Sequence, residues 1–137
     1  MITVTQRQQF ECTYILNNIE SYEKFNSHRY IVDVTVGGEL VDDILIEFKS
    51  LETIINMTLP SKLFIYNSAT DKQNDIIEHL KRHDVCVTGY PFEPTAENLV
   101  QHFATTLQKL LDIQYSNVKV IQIDLHEDDK SCVSWRI

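Results

Sequence analysis

The chain has few of the residues that mark a specialised covalent, redox or phosphate-binding site. Three cysteines are present, Cys12, Cys86 and Cys132. No two of them have the short separation of a zinc knuckle or a redox motif, so each is expected to act as a small buried hydrophobe. Three glycines are too few for a glycine-rich loop that cradles a phosphate. No apolar run approaches the roughly 20 residues that span a bilayer, so no membrane partner is expected.

Positive charge is also scarce. Twelve Lys and Arg residues stand against 20 Asp and Glu residues, which gives a net charge of −8. Nucleic acid is therefore not an expected partner, because phosphate backbones require basic surface. Residues 1–7 lack the basic start and apolar middle of a signal peptide, so a cytoplasmic location is expected. A length of 137 residues with 43% hydrophobic residues fits a single domain, 1–137.

Period-two alternation predicts four strands. Apolar residues share one parity between positions 2 and 16, which predicts a half-buried strand that is bent or bulged near residues 6–9. A polar loop follows over 17–27, and residues 28–37 alternate again until Gly37 and Gly38 end the strand. Residues 118–125 and 131–137 predict a third and a fourth strand.

Helical spacing predicts two main helices and a shorter one. Leucines and isoleucines over 51–59 have this spacing, and Pro60 stops that helix. Residues 71–82 predict a short amphipathic helix. Pro94 and Thr95 begin the longest helix, because proline suits a helix start and threonine can cap its free amides. Its apolar stripe consists of Leu99, Phe103, Leu107, Leu110 and Leu111.

The order of these elements predicts an α+β fold. Strands that flank a run of helices favour a four-stranded antiparallel sheet with the two main helices on one face. The edges of such a sheet carry unpaired backbone groups, which promote association unless they are covered. Closing the sheets of several subunits into one barrel would satisfy them, so the chain is expected to form an obligate oligomer.

Four segments resemble a known family. Residues 94–99, Pro-Thr-Ala-Glu-Asn-Leu, match a Pro-Thr-x-Glu-Asn-Leu motif directly. Residues 10–14 lie where that family has Phe-Ser-Ala-Ala-His, residues 26–30 where it has His-Gly-His-Asn-Tyr, and residues 47–48 where it has Asp-Phe. The sequence thus resembles the 6-pyruvoyltetrahydropterin synthase and 6-carboxytetrahydropterin synthase family over nearly its whole length. The resemblance implies the tunnelling fold, an oligomeric barrel, and a homo-oligomer that is a trimer or a hexamer of two stacked trimers.

Family members bind zinc with three histidines, and the corresponding positions here are Tyr14, Asn26 and His28. One imidazole, one phenol and one amide do not make the usual three-histidine site with an open position for substrate. We therefore expect no zinc cofactor, and we expect His28 to be a hydrogen-bonded residue at the start of a strand.

The proton-transfer residues of the family are also replaced. Tyr22 stands in place of its cysteine, and Pro60 and Ser61 fall near its Asp-His pair. None of these groups titrates where general acid–base catalysis requires it. A rearranged site could borrow other residues, the candidates being His79, His83, His102 and Cys86. His79 and His83 have the spacing of a metal-binding helix, with Glu78 adjacent, but no third ligand lies nearby in sequence, so a solvated face is the preferred interpretation.

The ligand anchor of the family is partly retained. Its Glu-Thr motif in the third strand corresponds to Gln122 and Ile123. A glutamine presents one donor and one acceptor instead of two acceptors, which favours a lactam or an oxidised purine over the usual pterin edge. Thr95 and Glu97 are carried over from the Pro-Thr-x-Glu motif as further ligand-binding candidates. Alternatively, Glu97 only caps its helix and Gln122 only pairs across strands.

These residues support three hypotheses about the function of the protein. The first is a divergent family member without the zinc site or the lyase reaction, which binds a pterin- or purine-like heterocycle at subunit interfaces. The second is an active 6-carboxytetrahydropterin synthase-type lyase with a rearranged site. The third is a non-catalytic structural partner of an intact paralogue. The catalytic residues remain unassigned in all three.

Overall fold

The computed structural model of the chain describes residues 1–15, 26–60, 64–69 and 74–137. Within these ranges the strands are β1 (Ile2–Ile15), β2 (Asn26–Gly38), β3 (Phe64–Asn67), β4 (Val87–Tyr90), β5 (Val118–His126) and β6 (Cys132–Arg136). The helices are α1 (Phe48–Thr58), α2 (Asn74–Arg82) and α3 (Ala96–Gln114). The predicted α+β class is confirmed. None of the described helices is long and apolar enough to cross a membrane.

The described strands form one six-stranded sheet in the order β4-β3-β1-β2-β5-β6, where four strands were expected. The four predicted strands are antiparallel neighbours, and β3 and β4 extend the sheet from β1 as parallel strands. Both additional strands are only four residues long. Runs this short carry too little alternation to separate a strand from a loop.

The long β1–β2 pair runs without interruption from Ile2 opposite Gly38 to Tyr14 opposite Asn26. The expected bulge near residues 6–9 is therefore wrong for this pairing. Gln6 and Gln8 lie on the same side of the strand as Val4 and Phe10 and are only half-buried. The side chains on this side therefore include two polar residues, but the pairing with β2 keeps its register. The even-numbered row faces the helices, since Phe10 packs edge-on against Phe103 of α3 with ring centroids 5.9 Å apart.

A bulge does occur, in β5. Thr35 pairs with Gln122 whereas Val36 pairs with Val120, so Ile121 is the extra residue. One extra residue in a strand moves every side chain after it to the opposite face of the sheet. Val118 and Val120 are buried before the bulge, and Ile123 and Leu125 are buried after it. The bulge thus keeps all four side chains in the core and turns Gln122 to the opposite face.

The core lies between the sheet and the helices α1 and α3. We call this side of the sheet the helix face and the other side the outer face. The predicted stripe of α3 is confirmed, with Leu99, Phe103, Leu107 and Leu111 fully buried and Leu110 packed at the margin. The expectation for the cysteines holds for Cys12 only, because Cys86 and Cys132 are exposed. Cys86 lies in the turn before β4 and Cys132 begins edge strand β6, so neither reaches the core.

Candidate functional site

The positions that correspond to metal ligands come together at one end of β1 and β2. Tyr14 is the register partner of Asn26, and Cys12 is the partner of His28. Tyr14, Cys12 and His28 belong to the row that faces the helices. An open cleft of about 480 Å³ lies here, with Cys12, Ser27 and His28 in its lining. The pairing of β1 with β2 therefore brings positions 14, 26 and 28 close together.

Tyr14 is engaged with a carboxylate. Its hydroxyl donates a hydrogen bond to Oε2 of Glu93. The Nδ2 group of Asn67, at the end of β3, donates to the other carboxylate oxygen of Glu93 over 3.0 Å. Burial raises the pKa of Glu93 above its usual range. We call Tyr14, Asn67 and Glu93 the carboxylate cluster.

The start of α3 holds Glu93 in place. Thr95 is the N-cap, and its Oγ1 accepts a hydrogen bond from the backbone N–H of Asn98 over 3.2 Å, as its predicted capping role requires. Asn98 in turn donates from Nδ2 to the backbone carbonyl of Glu93 over 2.9 Å. The backbone N–H of Thr95 donates to the same carbonyl over 2.8 Å. The Pro-Thr-x-Glu-Asn segment, residues 94–98, thus holds the backbone of Glu93, the residue directly before it.

Sequence analysis overlooked Glu93 and Asn67. Both lie in short segments between elements that could be predicted, and neither belongs to a residue pattern with a known spacing. One signal was available for Glu93, because an acidic residue directly before a Pro-Thr helix start lies beside free helix amides. Nothing in the sequence indicated that it would contact Tyr14, which is 79 residues away.

Aromatic rings lie beside the cluster. Tyr90 stacks on Phe92 with centroids 5.1 Å apart, and His102 of α3 contacts both rings at 5.2 and 5.4 Å. Burial, assisted by the charge of Lys109, lowers the pKa of His102. Burial also raises the pKa of the Cys12 thiol to about 12. His102 and Cys12 are therefore neutral near pH 7.

The predicted ligand-binding residues do not converge within one protomer. Gln122 lies on the outer face, where its Nε2 donates to both carboxylate oxygens of Asp124 over 2.9 and 3.0 Å. Thr95 and Glu97 begin α3 on the helix face, and Glu97 is exposed. A pocket that used all three residues would need two protomers.

The remaining candidates are scattered or fall outside the described residues. Tyr22 and Ser61 lie outside them, and Pro60 is buried directly after α1. His79, His83 and Cys86 are exposed on α2 and in the turn that follows it. In the part of the chain that the structure describes, no three His, Cys, Asp or Glu residues are grouped so that they could hold a metal ion.

Sequence comparisons relate the chain to known proteins. The model of the 6-pyruvoyl tetrahydropterin synthase family matches residues 3–137. The 6-carboxy-5,6,7,8-tetrahydropterin synthase of Haemophilus influenzae is 19% identical over 129 residues, which cover 88% of this chain and 92% of that protein.

Solved structures share the fold. An uncharacterized protein from Wolinella succinogenes superposes with a TM-score of 0.74 at 14% identity, covering 98% of this chain and 97% of that one. The 6-pyruvoyl tetrahydropterin synthase of Caenorhabditis elegans gives 0.62 at 16% identity, covering 99% and 95%. The Plasmodium vivax enzyme gives 0.64 at 13% identity, covering 100% of both chains. These likenesses confirm the predicted tunnelling fold.

Proposed function

Because the chain belongs to the 6-pyruvoyl tetrahydropterin synthase family, we propose that it is a divergent member without the zinc site and lyase reaction of its relatives. In this proposal it binds a pterin- or purine-like heterocycle between the subunits of a homo-oligomer. The observation that carries the proposal is the hydrogen bond from Tyr14 to Glu93, at the position of the first metal ligand.

The carboxylate cluster disfavours zinc at this position. A tyrosine ligates zinc as the phenolate, and a phenolate beside the Glu93 carboxylate would place two negative charges in hydrogen-bond contact. The hydroxyl instead donates a hydrogen bond to Glu93, and loss of its proton would break that bond. His28, half-buried against the ring of Tyr30 at 5.6 Å, is then the one imidazole among the three ligand positions.

The sheet edges support the oligomer. Beyond its short pairing with β3 at residues 13–15, the edge of β1 away from β2 has no strand partner in the described part of one protomer. Edge strand β6 likewise pairs with β5 alone among the described strands. Strands β1, β2, β5 and β6 alternate in direction, so β6 of one copy can meet β1 of the next as an antiparallel neighbour. This alternation allows the sheets of identical copies to join into one barrel, and a trimer or a hexamer of two trimers is proposed.

The heterocycle is assigned to Gln122 of one protomer with Thr95 and Glu97 of another. The Nε2 group of Gln122 is already directed at Asp124, which leaves its carbonyl oxygen to accept a hydrogen bond from a ring N–H. Glu97 is exposed and can accept from a second donor on the same ring.

Zinc titration of the metal-stripped protein tests the loss of the metal site. We expect no zinc at the ancestral position in the wild type, and about one zinc per subunit in the double variant Tyr14→His/Asn26→His, which restores three histidines beside one another. Stoichiometric zinc in the wild type that disappears in His28→Ala would contradict the proposal.

Ligand binding needs its own experiment. Calorimetric titration with a panel of pterins and oxopurines should show binding that Gln122→Ala abolishes and Glu97→Gln weakens, with Gln114→Ala at the exposed C-terminal end of α3 as the control. If no compound of either class binds, or if Gln122→Ala binds as the wild type does, the heterocycle assignment is wrong.

The similarity to the Haemophilus influenzae synthase favours one alternative, an active lyase of that type. Turnover of dihydroneopterin triphosphate that a chelator abolishes would establish it. The third reading, a structural partner of an intact paralogue, would be supported by mixed oligomers that co-purify from the source cell. A homo-oligomer that never exchanges subunits would count against it.

A further inference from the structure

Two exposed histidines stand side by side at the end of α2, away from the ancestral metal position. His79 and His83 are one helical turn apart, and their ring centroids lie 4.6 Å apart with the ring planes inclined at 59°. Ile77 of the same helix is buried, whereas both histidines face solvent. The function proposed above uses neither residue.

The backbone at the C-terminal end of α2 holds His83 one turn after His79 in a defined geometry. The backbone N–H of Val85 donates to the carbonyl of Leu80 over 2.9 Å, and that of Asp84 donates to the carbonyl of Lys81 over 3.1 Å. Asp84 adopts a left-handed conformation with φ 57°. This pair of bonds around a left-handed residue is a Schellman motif, which ends a helix in a defined geometry. The backbone of His83 is therefore held in its position by bonds on either side of it.

The separation of the two rings is short enough for both imidazoles to bind one ion. With metal–nitrogen distances of about 2.0 Å, a ring centroid lies about 3.2 Å from the ion. Two imidazoles at a right angle then have centroids about 4.5 Å apart, and two at a tetrahedral angle about 5.2 Å apart. The observed 4.6 Å agrees with the right angle, which Cu²⁺ and Ni²⁺ adopt in square-planar and tetragonal sites.

We propose that His79 and His83 chelate one Cu²⁺ or Ni²⁺ ion per subunit, with water completing the coordination. The C-terminal end of a helix carries partial negative charge, which favours a cation there. Lys81 and Arg82 oppose it. Lys81 is two residues from both histidines and lies on the far side of the helix, whereas Arg82 is three residues after His79 and lies on its side.

Titration of the metal-stripped, full-length protein with Cu²⁺ tests this site. Calorimetry should give one site per subunit, and the electron paramagnetic resonance spectrum should show two equatorial nitrogens. His79→Ala and His83→Ala should each weaken binding roughly tenfold or more, because the second imidazole then no longer acts at high effective concentration. Lys81→His/His83→Ala keeps the number of histidines but places them on different sides of the helix, so it should bind as weakly as His83→Ala.

His28→Ala separates this site from the ancestral one. If the inference is right, Cu²⁺ binding in His28→Ala equals that of the wild type. Binding as tight as that of the wild type in His83→Ala or in Lys81→His/His83→Ala would overturn the inference, as would no binding in the wild type, and neither result would affect the proposed function. Binding that His28→Ala abolishes and His83→Ala retains would overturn the inference and contradict the metal-free ancestral site as well.

Discussion

The substitution Tyr14→Phe removes the hydroxyl that donates to Glu93 and leaves the ring in place. A hydrogen bond to a charged group contributes about 1.5–3 kcal/mol net. Tyr14 and Glu93 are both half-buried, so water can partly replace the lost donor, and the lower end of that range, about 1.5 kcal/mol, is expected. With a urea dependence of about 1.5 kcal/mol per molar, the unfolding midpoint should fall by about 1 M.

The assay is urea unfolding followed by circular dichroism at one fixed subunit concentration, because oligomer stability depends on concentration. A double-mutant cycle with Glu93→Ala, which removes both acceptor oxygens, isolates the interaction between the two side chains. We expect a coupling free energy of about 1 kcal/mol. Thr13→Ser, which leaves the cluster intact, is the matched control on the same strand.

Additive effects of Tyr14→Phe and Glu93→Ala would refute this reasoning. Tyr14 would then be free of Glu93 in solution, and its hydroxyl would be available as a ligand. A midpoint unchanged in Tyr14→Phe would lead to the same conclusion.

Three further predictions concern the same sheet and helix. Thr95→Ala should lower the free energy of unfolding by about 1 kcal/mol in urea titrations, because it removes the N-cap of α3. The hydrogen bonds from Arg7 lower the pKa of Asp33, so the destabilisation by Asp33→Asn should be present at pH 7 and should vanish in titrations carried below that lowered pKa. Burial raises the pKa of Glu93, so wild-type stability should fall relative to Glu93→Gln as pH rises from about 4.3 through the raised value, measured by thermal unfolding across pH.

Alternation and capping residues were sufficient to predict the main elements. The row from Tyr30 to Val36 is apolar at every second position, and only a strand with one packed face produces that pattern. The helix start at Pro94 and Thr95 was readable because its chemistry is local. Local signals of this kind decide where long elements begin and end.

Features that depend on contacts between residues far apart in the sequence could not be predicted from local patterns. Strands β3 and β4 exist because β1 offers an edge for them, which no four-residue window reveals. The bulge at Ile121 could have been predicted, because the apolar residues that alternate along β5 change from even positions, ending at Val120, to odd positions, continuing at Ile123. Glu93 and Asn67 meet Tyr14 only after the parallel strands and the turn before α3 are in place.

The absence of zinc from the ancestral ligand positions is the central claim, and an anomalous difference map tests it most directly. Crystals grown with excess zinc would be measured at the zinc absorption edge, with His79→Ala/His83→Ala as the background so that the α2 pair cannot contribute. We predict no anomalous peak between positions 14, 26 and 28, and an intact bond from Tyr14 to Glu93. A peak coordinated by His28 and by the Tyr14 oxygen would contradict the claim.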